Sequence, residues 1–496
     1  MFPRFVSLAT IITLFALPAA ICAGEKIVAR RPPNIVFILT DDQGYGDVGC
    51  FGAKKIKTPN LDRMAREGMR FTNFYVTEAV CSASRASVLT GSYAVRVGLQ
   101  GALNPTSRIG INEREPNLAR MLKLRGYRTG LIGKWHLGHQ ARFHPLRHGF
   151  DEFVGTMFPN DCSNEFHPII RTFPPFTVYD GEKAIHQDPD QSILTPLLTK
   201  RAVDFIGRNK DRPFFLYLAH IMPHVPIHAS KEFRGKSAAG PYGDVIEELD
   251  ASIGEVMAAL KANGLDDNTL IIFTSDNGPF LSYGNHAGSA GLLRGGKLTA
   301  FEGGVRMPCI MRWNGHIPAG RDCHEIASTI DLLPTLSRLV GSDMPTLKID
   351  GGDIRPLMAG TEGAKSPHEA FYFYNGSELH AVRSGPWKLH FPHPYLEVAG
   401  EPGKDGKPSN FDKLKPESIK DSSLAGIASR HGYKVMHCGL ELYNLDSDVG
   451  ESKNIADKHP EVVLRLQAHG ERIRVELGDS LTGRKGTGNR LPGMAE

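Results

Sequence analysis

Asn34-Ile35-Val36-Phe37-Ile38-Leu39-Thr40 runs without a break into Asp41-Asp42-Gln43-Gly44. A continuous apolar run that does not alternate with polar residues reads as a strand buried on both faces, the kind found inside a parallel sheet. The same pattern returns at Gly130-Leu131-Ile132-Gly133, at Phe214-Phe215-Leu216-Tyr217-Leu218 and from Thr269 to Thr274, the last ending in Ser275-Asp276-Asn277-Gly278. Helical spacing fills the intervals. Leu61, Met64 and Ala65 follow Thr58-Pro59 and stop at Gly68; Leu118, Met121 and Leu122 mark a second helix; Val245, Leu249, Ile253, Val256 and Leu260 mark a third. This alternation predicts an α/β fold: a large central, mostly parallel or mixed sheet sandwiched by helices, with ligands bound where strands end.

From about residue 366 the pattern changes to short aromatic-rich strands, as in Glu369 to Tyr374 and Ala381 to Leu389. We therefore expect a larger domain over 34–365 and a smaller C-terminal α+β domain over 366–496, built on an antiparallel sheet. Residues 400–425, rich in Lys, Gly, Ser and Asp, read as a solvated loop, and a final helix is expected from Pro460.

The chain has 496 residues, 41% of them hydrophobic, and a net charge of +4, enough for roughly two or three globular domains. That mild positive charge suits an anionic substrate and falls short of a nucleic-acid binder. Residues 1–23 carry Arg4 and then an almost uncharged apolar stretch, which reads as a signal peptide. Export follows, to a periplasm, a cell exterior or a lysosome, with no membrane span in the mature form. Six cysteines remain beyond the leader: Cys50, Cys81, Cys162, Cys309, Cys323 and Cys438. They are too sparse for a disulfide framework, and no pair shows zinc-type spacing.

Two strand ends deliver Asp41, Asp42, Asp276 and Asn277. Three carboxylates in one place call for a cation, and an all-oxygen set favours a hard ion such as calcium or magnesium. Capping and turn chemistry is the plainer reading of each pair alone. Lys134 and His136 sit two apart in Gly133-Lys134-Trp135-His136-Leu137-Gly138; His220, His224 and His228 follow the Phe214 strand; Lys297 lies in a glycine-rich loop. Cys81-Ser82-Ala83-Ser84-Arg85 completes the set. If a helix opens there, its N-terminus favours negative charge, and Arg85 lies on the same face as Cys81. On the residues alone, Cys81 is a structural cysteine, a reactive thiolate or a processed nucleophile.

These segments, in this order, resemble the sulfatase family, in particular its arylsulfatase A-like members within the alkaline-phosphatase-like superfamily. The family signature is Cys, any residue, Pro or Ala, any residue, Arg, matched by Cys81 to Arg85 and followed by Val88-Leu89-Thr90-Gly91. Asp41 to Gly44, Gly133 to Gly138, His148 to Asp151, Pro223-His224, Ser275 to Pro279, Asp331 to Thr335 and Glu441 to Leu445 extend the likeness over nearly all the mature chain. Two departures stand out. Ser92 replaces an arginine found in many relatives, and Pro159-Asn160-Asp161 stands where some relatives carry a serine touching the nucleophile.

The resemblance implies a sulfuric ester hydrolase whose Cys81 is oxidised to formylglycine by a formylglycine-generating enzyme. It implies one Ca2+ per chain, held by Asp41, Asp42, Asp276, Asn277 and the modified residue 81. In the implied reaction one hydroxyl of the aldehyde hydrate attacks sulfur and His224 or Lys297 protonates the leaving alcohol. Lys134, Lys297 and the metal stabilise the sulfate oxygens, Arg85 holds the hydrate, and His136 deprotonates the second hydroxyl so that sulfate is expelled. The expected substrate is a sulfated small molecule or, more specifically, a sulfated glycan. The competing readings are a phosphate or phosphonate ester hydrolase of the same superfamily, and a non-catalytic sulfated-glycan binder if Cys81 stays a thiol. Asn375 to His380 and the 400–425 insertion are the segments expected to shape selectivity.

Overall fold

A computed structural model of the chain describes Met1, Pro3 and residues 31–163, 173–415 and 421–495; apart from Met1 and Pro3, the expected leader lies outside them. Residues from Pro32 onward form one compact unit. Asn34–Thr40 is a strand buried along its whole length, and it lies in the middle of the main sheet. It pairs in parallel with Phe214–Ala219 on one side and Thr269–Ser275 on the other. Side chains alternate across the sheet, so Val36 and Ile38 enter one core and Ile35, Phe37 and Leu39 the opposite one. This two-sided burial is why the sequence run shows no polar alternation.

From one edge the sheet runs Arg321–Cys323, Met69–Tyr75, Arg306–Arg312, Thr269–Ser275, Asn34–Thr40, Phe214–Ala219, Arg128–Lys134, Glu152–Thr156, Thr177–Asp180, Lys183–Gln187. The centre is parallel, Arg306–Arg312 and Thr177–Asp180 join it antiparallel on either side, and the edge strand Arg321–Cys323 pairs in parallel with Met69–Tyr75, giving the mixed sheet expected from the sequence. Helices Pro59–Glu67, Leu194–Arg208 and Gly240–Ala262 cover the face reached by Val36, while Cys81–Thr90, Leu118–Leu124 and Leu332–Leu339 cover the other. Among the described residues no helix is long and apolar enough to cross a membrane.

A second, four-stranded antiparallel sheet follows in the order Phe371–Asn375, Glu378–Ser384, Trp387–His390, Glu441–Asn444, with helix Pro460–Leu477 against it. The stretch Ala381 to Leu389, read as one strand, is broken where Gly385 turns with φ +57°. Of the 400–425 stretch, 416–420 lie outside the described residues, and 400–415 are less loose than a solvated loop. Ser409 is fully buried and its N–H donates to Ser282 O at 2.8 Å, while Leu424 and Ala425 belong to helix Leu424–His431.

Gly133 shows how tightly the site end of the sheet is built. Its φ is +120°, and a Cβ there would stand 1.7 Å from Ala219 O on the neighbouring strand. Gly133→Ala combines a disallowed backbone with a backbone clash, so we expect a loss of about 3 kcal/mol, read as a lower urea midpoint. An unchanged midpoint would contradict that close approach.

Candidate active site

Parallel pairing brings strand ends to one edge. Thr40 lies in register with Ser275, so Asp41-Asp42 and Asp276-Asn277 leave the sheet side by side, and Lys134 ends its own strand nearby. The Asp42 N–H donates to Asp276 Oδ1 at 3.2 Å, and Asn277 Nδ2 donates to Asp42 Oδ1 at 2.7 Å. Asp42 takes φ +63°, a conformation short Asp side chains tolerate.

Cys81 is the first residue of helix Cys81–Thr90, with no side-chain cap ahead of it. One turn on, Arg85 is buried and fixed on the same face. Its guanidinium bonds Asp276 Oδ2 at 2.8 Å, Asp41 Oδ2 at 3.2 Å and Lys134 O at 3.1 Å. Lys134 Nζ pairs with Asp41. Lys297 Nζ is 2.7 Å from Asp42 Oδ1 and donates toward Cys81 Sγ at 3.4 Å. Cys81 Sγ in turn lies 3.5 Å from Asp41 Oδ1. Three cations thus interleave with three buried carboxylates around the sulfur.

Burial and neighbouring charge set the protonation states. Burial alone would raise Asp41, but Lys134, His224, Arg85 and Lys297 overcome it and hold that carboxyl below the usual range. Burial and the Asp41 charge push Asp276 up to about 6 despite Arg85, and burial raises Asp42 as well. The Cys81 thiol is pushed well above its ordinary value by burial and by Asp41. Lys297, whose desolvation is outweighed by Asp42, is raised well above the ordinary lysine value and keeps its proton.

The histidines divide by their hydrogen bonds. His224 Nδ1 lies 2.6 Å from Val225 O, which only accepts, so Nδ1 carries the proton and Nε2 faces Asp42 Oδ2 at 3.6 Å as a lone pair. Burial lowers this ring to about 4. His136 Nε2 likewise bonds Leu103 O at 2.7 Å, leaving Nδ1 buried and without a partner. Burial and Lys134 depress it well below the usual value, so it is neutral. His220 stands apart, with Nε2 3.3 Å from Ser252 Oγ.

The oxygen set fits a hard cation. Asn277 Oδ1 is buried without a hydrogen-bond partner, and carboxylate oxygens of Asp41 and Asp42 lie within 4.8 Å of each other and of Cys81 Sγ and a His224 ring nitrogen. A divalent ion would satisfy the orphan oxygen and offset the like charges that raise Asp276 and Asp42.

Cys81, His136, His224 and Lys297 open into a cleft of about 840 Å³. Both segments expected to shape selectivity contribute walls, through Asn375 to Glu378 and through Ser422 and Ser423. Sequence reasoning missed Glu78, Asp161 and His431, which also line it. Glu78 is buried, raised to about 7, and accepts from Gly101 N at 3.1 Å and Gly376 N at 3.0 Å. No motif marks it, although it precedes Cys81 by only three residues. Asp161 falls in the segment where the family pattern breaks, which was the available signal.

Known proteins share this chain's sequence pattern and fold. Residues 33–342 match the sulfatase family model, and residues 366–482 match the model for the C-terminal region of aryl-sulfatase. Human arylsulfatase A is 39% identical over 483 residues, covering 91% of this chain and 89% of the relative. Dog N-acetylgalactosamine-6-sulfatase is 41% identical over 382 residues, covering 73% and 72%. The solved structure of Ps i-CgsB in complex with k-i-k-neocarrahexaose superposes with a TM-score of 0.71 at 27% identity, covering 89% of this chain and 93% of that one. The chain belongs to the sulfatase family of sulfuric ester hydrolases.

Proposed function

We propose that this sulfatase is an exported enzyme that removes sulfate from a sulfated glycan, with an aldehyde hydrate made from Cys81 as nucleophile and one Ca2+ beside it. The carrying observation is the cleft that ends on Cys81 between Lys297, His136 and His224. An N-acetylgalactosamine-6-sulfatase among its relatives and a neighbour in complex with k-i-k-neocarrahexaose favour a sugar sulfate. The apolar N-terminal stretch favours export, and the boundaries 34–365 and 366–496 remain our division into catalytic and C-terminal domains. The formylglycine-generating enzyme is the maturation partner this reading requires.

Asp41, Asp42, Asp276, Asn277 and residue 81 would hold the calcium, which supplies positive charge to the sulfate oxygens and favours alkoxide character in the nucleophile. Once formed from Cys81, the hydrate would supply two hydroxyls on one carbon, the chemistry needed both for attack on sulfur and for release of sulfate. Lys134 and Lys297 place ammonium groups beside the site of attack, where charge develops on the sulfate. Of the two candidate acids, Lys297 enters with a proton on Nζ, whereas His224 is neutral and presents Nε2 as an acceptor. His136 Nδ1 is the free base nitrogen, held in that tautomer by Leu103 O. Arg85, fixed by Asp41 and Asp276, keeps the carboxylates and the helix start in one arrangement.

Protein in which conversion of Cys81 has been verified by mass should release sulfate from members of a sulfated saccharide panel. A calcium chelator should reduce the rate at least ~10-fold, and added Ca2+ should restore it. Faster cleavage of aryl phosphate than of any sulfate ester would replace this reading with the phosphate-ester one.

A further inference from the structure

Away from the carboxylate cluster, His390, His393 and Cys438 bring one ring nitrogen each and a sulfur within 4.8 Å of one another. His390 ends strand Trp387–His390 of the four-stranded sheet. His393 and Cys438 face each other across the separate hairpin of His393–Val398 and Tyr433–Cys438. All three are buried, at 0%, 3% and 5% exposure. We propose that these residues form a second metal site, for a borderline-soft divalent ion of the zinc class.

The hydrogen bonds around the rings select this reading. His393 Nδ1 lies 2.6 Å from Phe391 O, which only accepts, so the proton is on Nδ1 and Nε2 keeps a lone pair. His390 Nε2 is 2.8 Å from Glu451 Oε1, which leaves its Nδ1. Both remaining nitrogens are buried and have no partner. A histidine that gives one N–H to a carboxylate or carbonyl and turns its bare nitrogen elsewhere is oriented as metal-bound histidines are. Without an ion, each buried bare lone pair forfeits a hydrogen bond it would have in water. His380 stacks on His393 at 3.9 Å between ring centroids, with Nε2 on Glu378 and its own Nδ1 unpartnered, and it backs the cluster on one side.

The donor types choose the ion. Two imidazoles and a sulfur are a poor set for calcium or magnesium and a good one for zinc. Burial keeps the rings in the neutral form that binds, lowering His393 to about 3 and His390 well below its ordinary value. It also raises the Cys438 thiol to about 12, a shift that a bound dication would reverse. On binding, the S–H bond breaks, the sulfur pair goes to the metal and one proton leaves to solvent. No redox change is involved.

Such an ion would fasten the hairpin to the four-stranded sheet. The hairpin carries Tyr433, whose hydroxyl accepts from Ser282 N at 3.2 Å and whose ring stacks on Phe280, a lining residue of the active-site cleft. The inferred role is therefore to set the cleft wall, without touching the reacting atoms.

The test uses chelator-treated Cys81→Ala protein, so that residue 81 contributes no thiol. Titration with Co2+ should give one equivalent carrying a near-ultraviolet thiolate charge-transfer band, displaced by Zn2+, and Zn2+ should raise Tm. Adding Cys438→Ser should remove the band, and His393→Gln, which keeps the thiol, should weaken binding at least ~10-fold. Absence of the band in the Cys81→Ala parent would show that the rings are only a packed aromatic stack. A band and affinity unchanged by both variants would place the ion elsewhere. Either result overturns the proposal, and the parent titration decides even if a variant fails to fold.

Discussion

Cys81→Ala protein is expected to fold and to release sulfate at least ~10⁴-fold more slowly than converted wild type, a loss of about 5.5 kcal/mol of transition-state stabilisation. The size of this effect follows from what the structure denies to a simple thiol. A helix N-terminus with Lys134 and Lys297 nearby would ordinarily favour thiolate. Here burial and Asp41 outweigh those cations and hold the sulfur protonated. A protonated, desolvated thiol is a poor nucleophile, which supports the proposed exchange of CH2SH for CHO at this position. The peptide containing residue 81 should be lighter by that difference in active protein and not in inactive protein. Cys81→Ser should give at most slow or single-turnover sulfation, because a lone hydroxyl lacks the second oxygen that returns the group to its starting state. Multiple turnovers by the Cys81→Ala protein would end the proposal.

What the sequence revealed was whatever is written locally. The Asn34 strand, the acidic pairs that terminate it and its neighbour, and the helix start at Cys81 all depend on runs of a few residues, and each lies where the spacing placed it. Strand order was not legible, because it is fixed by pairings such as Met69–Tyr75 with Arg306–Arg312, more than 200 residues apart. Arg85 is expected to help keep the metal-side oxygens oriented, but its direct bridge between Asp41 and Asp276 is a product of tertiary packing that local spacing does not show. Glu78 and His431 reach the cleft through tertiary packing alone. The His390, His393 and Cys438 cluster was invisible for a similar reason. Its cysteine is 45 residues from the nearer histidine, so a search for local ligand spacing passes over it.

Long-range packing also carries the second large effect. Lys388 is fully buried, and its ammonium donates to Ala300 O at 2.7 Å and Glu302 Oε1 at 2.9 Å and lies 3.1 Å from Glu451 Oε1. Lys388→Met removes the ammonium from between two buried carboxylates and takes from Glu451 its ion-pair partner, so a loss of about 3–5 kcal/mol is expected, the cost of breaking a buried ion pair from one side. Glu302 retains Arg306 and Arg383, whereas the His390 ring and the Glu302 N–H that still face Glu451 are uncharged. Burial already raises Glu451 to about 7 with Lys388 present, and removing the ammonium raises it further. A carboxyl whose folded pKa exceeds its unfolded value of 4.5 binds more protons when folded, so stability falls as pH rises from about 4.5 through the folded pKa. The deficit of the variant should therefore be larger at pH 8 than at pH 5, as measured by urea midpoints against wild type. Glu451→Gln on the Lys388→Met background should recover part of it, since an amide has no charge to desolvate. A deficit that ignores pH would mean that Glu451 finds another cation. Because Ala300 and Glu302 lie three and five residues after Lys297, the same variant should also loosen the loop that presents the Lys297 ammonium, lowering kcat/KM by up to ~100-fold even where the protein remains folded.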